Sequence, residues 1–358
     1  MIYLDYQATT PLAPEALDAM LPWLRDQHAN PHSAHGPGRA AKAAVEVARG
    51  HVAALLPSGG NVSFTSGATE ALNWAIKGVG GPVVTLATEH AAVLDTVEAV
   101  NGATILPVGR DGLVDLDAAR AAIRPGVKLV AAMLVNNEIG VIQPVAELAQ
   151  LAHDAGALFL CDAVQGYGRV PIPAACDLIA VSAHKIHGPK GIGALWIRDG
   201  VSLAPLLHGG AQEAAGRSGT LSPALCAGFG AAARLAADQA ERDRDHVFTL
   251  FARAETLLGG WTVNGARDHR YFGNLNIRRD GLDVARLMSD LRDIAFSAGS
   301  ACASGSGRPS HVLQAIGLSD AQARSSIRLG FGRYTTEAEL VDAIERIDRT
   351  AHAQRVAA

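Results

Sequence analysis

The sequence between about residues 60 and 200 alternates short apolar runs with helix-length amphipathic stretches, and this alternation constrains the fold most strongly. Apolar runs of strand length are typical of a parallel sheet that helices cover on both faces. The pattern predicts an α/β fold with a seven-stranded, mainly parallel sheet. The predicted strands are Val62–Thr65, Val83–Ala87, Thr104–Pro107, Lys128–Val135, Ala157–Asp162, Leu178–Ser182 and Ala194–Ile197.

The remainder of the chain predicts a second, smaller α+β domain. The Ala-rich stretch from Ser222 to about Leu258 predicts one long helix that connects the two parts. We expect a large domain over residues 13–240, and a small domain formed by residues 1–12 and 241–358. The elements predicted in the small domain are strands at Asn274–Arg278, Ile294–Ser297 and Ile327–Phe331 and helices at Leu282–Leu291 and Thr336–Arg349.

Charge and cysteine content restrict the partners and the compartment. The formal net charge is −4 over 358 residues and no Lys/Arg block is present, so a surface for nucleic acid or anionic lipid is not expected. No apolar run approaches the roughly 20 residues that cross a bilayer, and the N-terminus has no leader pattern, which predicts a cytoplasmic protein. The cysteines form no CxxC pair, which predicts free thiols and no metal site.

Candidate catalytic residues follow the predicted strands, where a parallel sheet exposes its ligand-binding crevice. Lys185 comes directly after the apolar strand Leu178–Ser182. Desolvation there would lower the pKa of its amine, and a neutral amine forms a Schiff base with an aldehyde cofactor. Taken alone, a surface lysine after a strand is the commoner interpretation.

Two further strand ends carry groups suited to a pyridine-ring cofactor. Asp162 could keep a ring nitrogen protonated, and Gln165 could donate to a ring hydroxyl. His90 could stack on such a ring and transfer protons near neutral pH. A turn-capping role is about equally plausible for Asp162 and for His90 taken singly.

A phosphate turn and a polar turn complete the set of strand ends. The segment Ser66–Glu70 lies between a predicted strand and a predicted helix, where free N–H groups bind phosphate, although the same residues also make an ordinary helix start. Asn136–Glu138 follows another strand and could donate to a substrate carboxylate or a ring oxygen, and a turn role is equally plausible.

Cys302 lies in a loop of small residues, Ser297–Gly307. This composition predicts mobility and an accessible thiol, and an accessible thiol that can ionise serves as a nucleophile. An incidental loop cysteine is the alternative. The apolar surroundings of Cys161 and Cys176 predict inert core residues instead.

Taken in order, these segments resemble the cysteine desulfurases of the NifS and IscS type, within the class V aminotransferases of pyridoxal-phosphate (PLP) fold-type I. The resemblance runs nearly from end to end. The matching segments are Tyr3–Pro11, Phe64–Glu70, Thr88–His90, Val135–Gly140, Asp162–Gln165, His184–Gly191, Arg217–Thr220, Gly299–Cys302 and Ser325–Arg328.

The resemblance implies a role for each candidate residue. Lys185 holds pyridoxal 5'-phosphate as a Schiff base, Asp162 pairs with the pyridinium nitrogen, Gln165 contacts the ring hydroxyl and His90 stacks on the ring. Thr220 reaches the phosphate in the partner subunit, which implies a homodimer with shared active sites. The phosphate ligands are Ala68, Thr69, Ser182 and His184; Asn137 contacts cofactor and substrate, and Arg328 grips the substrate carboxylate.

The implied reaction converts L-cysteine to L-alanine. The thiolate of Cys302 takes the sulfur as a persulfide and delivers it to an acceptor protein. The chain stops at Ala358, whereas family members that serve iron–sulfur scaffolds have a longer tail. The expectation therefore leaves open whether the acceptor is an iron–sulfur scaffold or belongs to a nitrogenase-type, cofactor or tRNA pathway.

Two other functions remain compatible with these residues. A selenocysteine lyase, or another class V lyase or aminotransferase, would keep Lys185, Asp162 and the phosphate turn but would need no thiol at Cys302. The other is a non-catalytic sulfur-acceptor or assembly protein on the same fold, which would not need the cofactor-binding residues. The intact set of Lys185, Asp162, Gln165 and His90 argues against the second alternative, and the Cys302 loop argues against the first.

Overall fold

The computed structural model describes residues 1–100, 103–299 and 309–356. In this part of the chain the strands are β1 (Ile2–Tyr3), β2 (Gly60–Thr65), β3 (Val83–Leu86), β4 (Ala103–Leu106), β5 (Leu129–Met133), β6 (Leu158–Asp162), β7 (Leu178–Ser182), β8 (Gly193–Arg198), β9 (Thr262–Val263), β10 (Asn274–Arg278), β11 (Ile294–Ala295), β12 (Ser297–Ala298) and β13 (Ser326–Gly330).

The helices of the same residues are α1 (Pro14–Arg25), α2 (Gly36–Ala53), α3 (Ala68–Val79), α4 (Ala91–Ala99), α5 (Leu116–Ala122), α6 (Val145–Asp154), α7 (Pro223–Asp238), α8 (Ala240–Leu257), α9 (Val284–Asp290), α10 (His311–Ala315), α11 (Asp320–Arg324) and α12 (Glu337–Val356). A short 3₁₀ turn covers Ala183–Lys185.

The central sheet has seven strands in the order β2-β8-β7-β6-β5-β3-β4. The five strands from β7 to β4 pair in parallel, and β8 runs antiparallel to both of its neighbours. The α/β class and the seven-stranded, mainly parallel sheet predicted from the sequence are therefore confirmed. The strands β2, β3, β5, β6 and β7 all end at the same edge, and this edge carries the candidate site.

Helices cover both faces of the central sheet. In β6, Phe159 and Cys161 pack into the core beneath α2, α6 and α7, while Leu160 between them packs under α3 and α4 on the other face. Side chains of a strand alternate between faces, so an uninterrupted apolar run is what a doubly covered strand requires. The apolar runs in the sequence arise from this arrangement.

A second hydrophobic core forms around the four-stranded sheet β12-β13-β10-β9. It includes residues of α8, α9 and α12, and also Leu4 from the N-terminal segment. The strand β1 pairs in parallel with β11 beside this core. The domain division at residues 12/13 and 240/241 stays a prediction.

The long connecting helix predicted from Ser222 to Leu258 is wrong. The structure has two helices, α7 and α8, separated at Gln239, whose backbone is not helical (φ −108°, ψ 5°). The physical reason is that each helix packs on a different core: Phe229 of α7 lies in the core of the central sheet, and Leu250 of α8 lies in the second core.

The predicted strand Ile294–Ser297 is also two strands. The strand β11 pairs with β1, and β12 pairs with β13 in the four-stranded sheet. The chain changes partner at Phe296, which is buried in the second core. A single continuous apolar run in the sequence does not reveal that its two halves pair with different strands.

The described cysteines Cys161, Cys176 and Cys226 are buried free thiols. For Cys161 and Cys176 this burial agrees with the expected inert core. Among the described residues no group of His, Cys, Asp and Glu side chains has a metal-binding arrangement. In the same residues, no helix combines the length and the apolar character needed to cross a membrane.

Candidate active site

A cavity of about 580 Å³ opens at the carboxyl edge of the central sheet. The structure brings most of the predicted site residues together in its wall, although they come from six different segments of the chain. The predicted residues that line it are Ala68, Thr69, His90, Asn137, Asp162, Gln165, Ser182, His184, Lys185 and Arg328.

Lys185 lies at the end of the 3₁₀ turn that follows β7. Its Nζ donates to the main-chain carbonyl of Gln7 and to that of Ala8, the latter at 2.9 Å. Burial, with the charges of Arg328 and Arg169, lowers the pKa of Lys185 to about 8. A neutral amine, the nucleophilic form, is therefore accessible near physiological pH.

Asp162 at the end of β6 and His90 after β3 face the same cavity, with β5 between their two strands. Burial raises the pKa of Asp162, against the opposing effects of His90, the Val164 N–H and Lys185. Burial also lowers the pKa of His90. The His90 Nδ1 accepts from the N–H of Ala92 at 3.0 Å and caps α4, so the proton of the neutral ring lies on Nε2.

Gln165 follows β6 by one turn and is buried. Its Nε2 donates to the main-chain carbonyl of Gln7 at 2.9 Å, the same oxygen that accepts from Lys185. Its Oε1 accepts from Nη1 of Arg169 at 3.0 Å. The amide therefore has one fixed orientation in the wall of the cavity.

The N-terminus of α3 forms the predicted phosphate turn. Gly67 is its N-cap and supplies no capping side chain, so the first N–H groups of the helix are available to an anion. His184 lines the same cavity, and its Nδ1 lies 3.1 Å from Oγ1 of Thr9. Burial, with the charges of Lys185, Lys190 and Arg169, lowers the pKa of His184 to about 4, so its ring is neutral at physiological pH.

Arg328 enters the cavity from β13 and is almost fully buried. Its Nη2 forms an ion pair with Asp5 at 2.8 Å, and its Nη1 donates to the main-chain carbonyl of Asn137 at 3.0 Å. Nη2 also lies 3.2 Å from Oγ of Ser297. The guanidinium is thus held by three segments that are far apart in sequence.

Among the predicted residues that the structure describes, Thr220 does not line the cavity. Thr220 is exposed in the loop before α7, and Arg217 in this loop pairs with Glu70 of α3 at 2.8 Å. That ion pair fixes the loop beside the phosphate turn, since Glu70 also accepts from the N–H of Ser66 at 2.7 Å. Cys302 lies outside the described residues.

Sequence analysis did not assign roles to Asp5, Gln7 or Arg169. Asp5 and Gln7 lie in a segment that resembles the family, but their partners Arg328, Gln165 and Lys185 are more than 150 positions away. Arg169 has a local signal, because it follows Gln165 by four residues. The main-chain carbonyl of Gln7 leaves no signal in a sequence.

Comparisons with known proteins agree with this geometry. The sequence model of the family Aminotransferase class-V matches residues 2–343. Cysteine desulfurase IscS of Rickettsia bellii is 42% identical over 368 aligned positions, which cover 97% of this chain and 90% of that protein.

Solved structures give the same result. A NifS-like protein from Rickettsia africae superposes with a TM-score of 0.91 at 30% identity and covers 98% of this chain and 99% of that one. A structure of SspA in complex with cysteine superposes with a TM-score of 0.83 at 34% identity, over 94% of this chain and all of that one (100%). This chain therefore belongs to the class V aminotransferase family and, within it, to the PLP-dependent cysteine desulfurases of the NifS and IscS type.

Proposed function

We propose that this chain converts L-cysteine to L-alanine, with PLP bound to Lys185 and the sulfur received by Cys302. The observation that carries the proposal is the Lys185 amine, whose pKa is lowered to about 8, in one cavity with the buried Asp162 and the open N-terminus of α3. The cysteine in the SspA complex, and the names of the relatives, support the choice of substrate.

The donors at the cavity fit the phosphate of the cofactor. The N–H groups of Ala68 and Thr69 begin α3 without a capping side chain, and the helix dipole favours an anion there. The hydroxyl of Ser182 and the neutral ring of His184 line the same cavity. These groups would hold the phosphate through hydrogen bonds.

The ring of the cofactor would contact Asp162, Gln165 and His90, which line the same cavity. Asp162 is a buried carboxyl with a raised pKa, and a protonated pyridine nitrogen is a partner that would keep it ionised. Nε2 of Gln165 would donate to the ring hydroxyl. The imidazole of His90 would lie against the face of the ring.

The bound cofactor withdraws electrons from the substrate Cα, which allows its proton to move and its side chain to leave. Nζ of Lys185 is free to carry that proton once the substrate amine is in place. His90 lines the same cavity and would hold or return a proton through its Nε2. Arg328 and Asn137 would bind the substrate carboxylate and orient the Cα–H bond.

The sulfur step needs a thiolate at Cys302. The thiolate attacks the substrate sulfur, so an S–S bond forms and the C–S bond breaks. The electron pair of the broken bond stays on the substrate carbon, and protonation of this carbon gives the methyl group of alanine. The sulfur remains on Cys302 as a persulfide, ready for an acceptor protein.

Two variants test the assignment. With Lys185→Ala, we expect loss of the visible absorbance of the covalently bound cofactor and of alanine formation. With Cys302→Ser, we expect the absorbance to remain while persulfide and sulfide formation from L-cysteine are lost. Cys226→Ser is the matched control, because this buried thiol lies in the core of the central sheet. Unchanged sulfide release by Cys302→Ser would refute the role of Cys302.

We also propose a cytoplasmic homodimer in which Thr220 reaches the phosphate of the partner subunit, with a sulfur-acceptor protein as a transient partner. Mixed dimers of Lys185→Ala and Thr220→Ala protomers test the sharing, because a residue acting across the interface restores one native site per dimer. We expect native cofactor affinity at half of the sites. No restoration, or a monomer in sedimentation, would contradict the proposal.

A further inference from the structure

Arg169 contacts two residues of the candidate site but does not itself line the cavity. It lies in the loop after β6, four residues beyond Gln165. Its Nη1 donates to Oε1 of Gln165 at 3.0 Å, and its Nη2 donates to the main-chain carbonyl of Lys185. One guanidinium therefore contacts both the proposed cofactor lysine and the residue proposed to bind the ring hydroxyl.

These contacts decide which way the Gln165 amide points. A side-chain amide can present either its oxygen or its nitrogen, but a guanidinium has only N–H donors. Oε1 of Gln165 must therefore face Arg169, and Nε2 must face the other side. There it donates to the carbonyl of Gln7, which also accepts from Nζ of Lys185. The donor is left on the side that the cofactor would occupy.

Arg169 is itself held in place. Its guanidinium carbon lies 5.2 Å from the centroid of the Tyr271 ring, within the range of a cation–π contact. Both residues line a second cavity, of about 240 Å³, which is also lined by Ile186, the residue after Lys185. The charge of Arg169 is also among the causes, after burial and Arg328, that lower the pKa of Lys185.

We propose that Arg169 is a positioning residue: it fixes the Gln165 amide with Nε2 toward the cofactor and holds the main chain of Lys185. This inference rests on the proposed roles of Lys185 and Gln165. It predicts that Arg169 acts through Gln165, so that the two side chains are energetically coupled. An arginine that served only the stability of the loop would show no such coupling.

A double-mutant cycle tests the coupling. The dissociation constant of PLP is measured for Arg169→Ala, Gln165→Ala and the double variant by titration of the apoprotein. We expect each single variant to weaken binding about tenfold, and the double variant to weaken it about tenfold less than the product of the two effects. Effects that simply multiply would overturn the positioning role.

The variant Arg169→Lys separates the effect of the positive charge of Arg169 from the effect of its planar guanidinium donors. A lysine keeps the charge but cannot donate from two nitrogens in a fixed plane. The pKa of Lys185 is measured by competitive acetylation of the apoprotein. We expect it to stay at about 8 in Arg169→Lys, which keeps the charge, and to rise in Arg169→Ala, which removes it. Cofactor binding should weaken in both. An unchanged affinity in both variants would also overturn the role.

The control is Arg198→Ala. Like Arg169, Arg198 contacts one side chain and one main-chain carbonyl, but it does so at the opposite edge of the sheet. It pairs with Asp177 and donates to the carbonyl of Cys176. We expect it to lower thermal stability without changing cofactor affinity or the pKa of Lys185. If Arg169→Ala fails to fold, Arg169→Lys replaces it in the cycle. If Gln165→Ala alone leaves cofactor affinity unchanged, the site assignment fails rather than the role of Arg169.

Discussion

At the residue scale, the site depends on which protons its buried groups hold at neutral pH. Burial keeps His184 neutral, with a pKa of about 4, and lowers the pKa of His90. It also brings the pKa of Lys185 to about 8. The imidazoles therefore act through N–H groups and not through charge, and the positive charge of the cavity wall comes from Arg328, Lys190 and the protonated form of Lys185.

The lowered pKa of Lys185 predicts a pH dependence of cofactor capture. Only the neutral amine attacks the aldehyde, so the rate constant for PLP binding to the apoprotein should rise about tenfold per pH unit on the acid side. It should level off above the pKa of about 8. Stopped-flow absorbance measures this rate, and Lys77→Ala, on the exposed side of α3, is the control. A rate that does not vary with pH would contradict the lowered pKa.

The buried guanidinium of Arg328 predicts a defect in substrate binding. Arg328→Lys keeps a charge but loses the planar fork, which already contacts Asp5, Ser297 and the carbonyl of Asn137. We expect KM for L-cysteine to rise about tenfold or more, with a smaller change in kcat. Steady-state alanine formation measures both. Arg324→Lys, an exposed arginine of α11, should leave KM unchanged; an equal KM for the two variants would exclude Arg328 from substrate binding.

At the element scale, the antiparallel strand β8 shapes the phosphate turn. It lies between β2 and β7, and this pairing brings Gly193 against the turn at Gly67. A Cβ on Gly193 would lie 2.6 Å from the carbonyl oxygen of Val181 and 2.8 Å from backbone atoms of Gly67. Backbone atoms cannot rotate away, so only a residue without Cβ fits at this position.

This close approach predicts the effect of Gly193→Ala. We expect loss of about 1–3 kcal/mol of unfolding free energy, because the added methyl group must displace packed main chain. PLP affinity should fall as well, since the displaced turn carries the phosphate donors. Urea unfolding and cofactor titration measure the two effects. Gly259→Ala, where the methyl group meets open space, should change neither; a Gly193→Ala protein with native affinity would show that the turn does not move.

Much of the element structure follows from the sequence because short-range physics decides it. Strand β7 has the predicted bounds, because its short apolar run by itself indicates a strand that is buried on both faces. The break between α7 and α8 could not be predicted, because an Ala-rich stretch favours helix on both sides of Gln239. The break depends on which core each half contacts, and that is a long-range property.

In the candidate site too, features that depend on local sequence could be predicted, and features that depend on long-range contacts could not. Lys185, Asp162 and His90 could be predicted because each lies at the end of an apolar strand or shortly after it, and parallel strands end at one edge. The ion pair of Asp5 with Arg328 could not, because it joins positions 323 residues apart. The carbonyl of Gln7 carries no residue signature. Arg169 follows Gln165 by four residues, but this spacing does not reveal its contact with the carbonyl of Lys185.

At the scale of the whole molecule, the N-terminal segment links the second core to the active site. Leu4 is fully buried in the second core, and the following residues reach the cavity, where Gln7 and Ala8 hold Lys185. Thr10 continues the contact through its N–H and hydroxyl to the carbonyl of His184. Loss of packing at Leu4 should therefore affect the cavity.

We expect Leu4→Ala to cost about 2–5 kcal/mol in unfolding free energy, and also to weaken PLP binding, because the segment that holds Lys185 loses its anchor. Urea unfolding with and without the cofactor measures both. Leu24→Ala is the matched control, because Leu24 is 63% exposed, and it should change stability by less than about 0.5 kcal/mol. A destabilised Leu4→Ala protein with native cofactor affinity would show that core and cavity are independent.

The cavity wall includes residues from Gln7 in the first turn of the chain to Arg328 in β13. This span has a consequence for biosynthesis. A ribosome releases the phosphate turn, His90 and Lys185 well before Arg328, at about 5–20 residues per second. A nascent chain therefore exposes a reactive amine before its pocket can close. We expect the substrate site to be completed only after translation of β13, because Arg328 is the proposed ligand of the substrate carboxylate, so the ability to bind substrate is acquired late in the maturation of this enzyme.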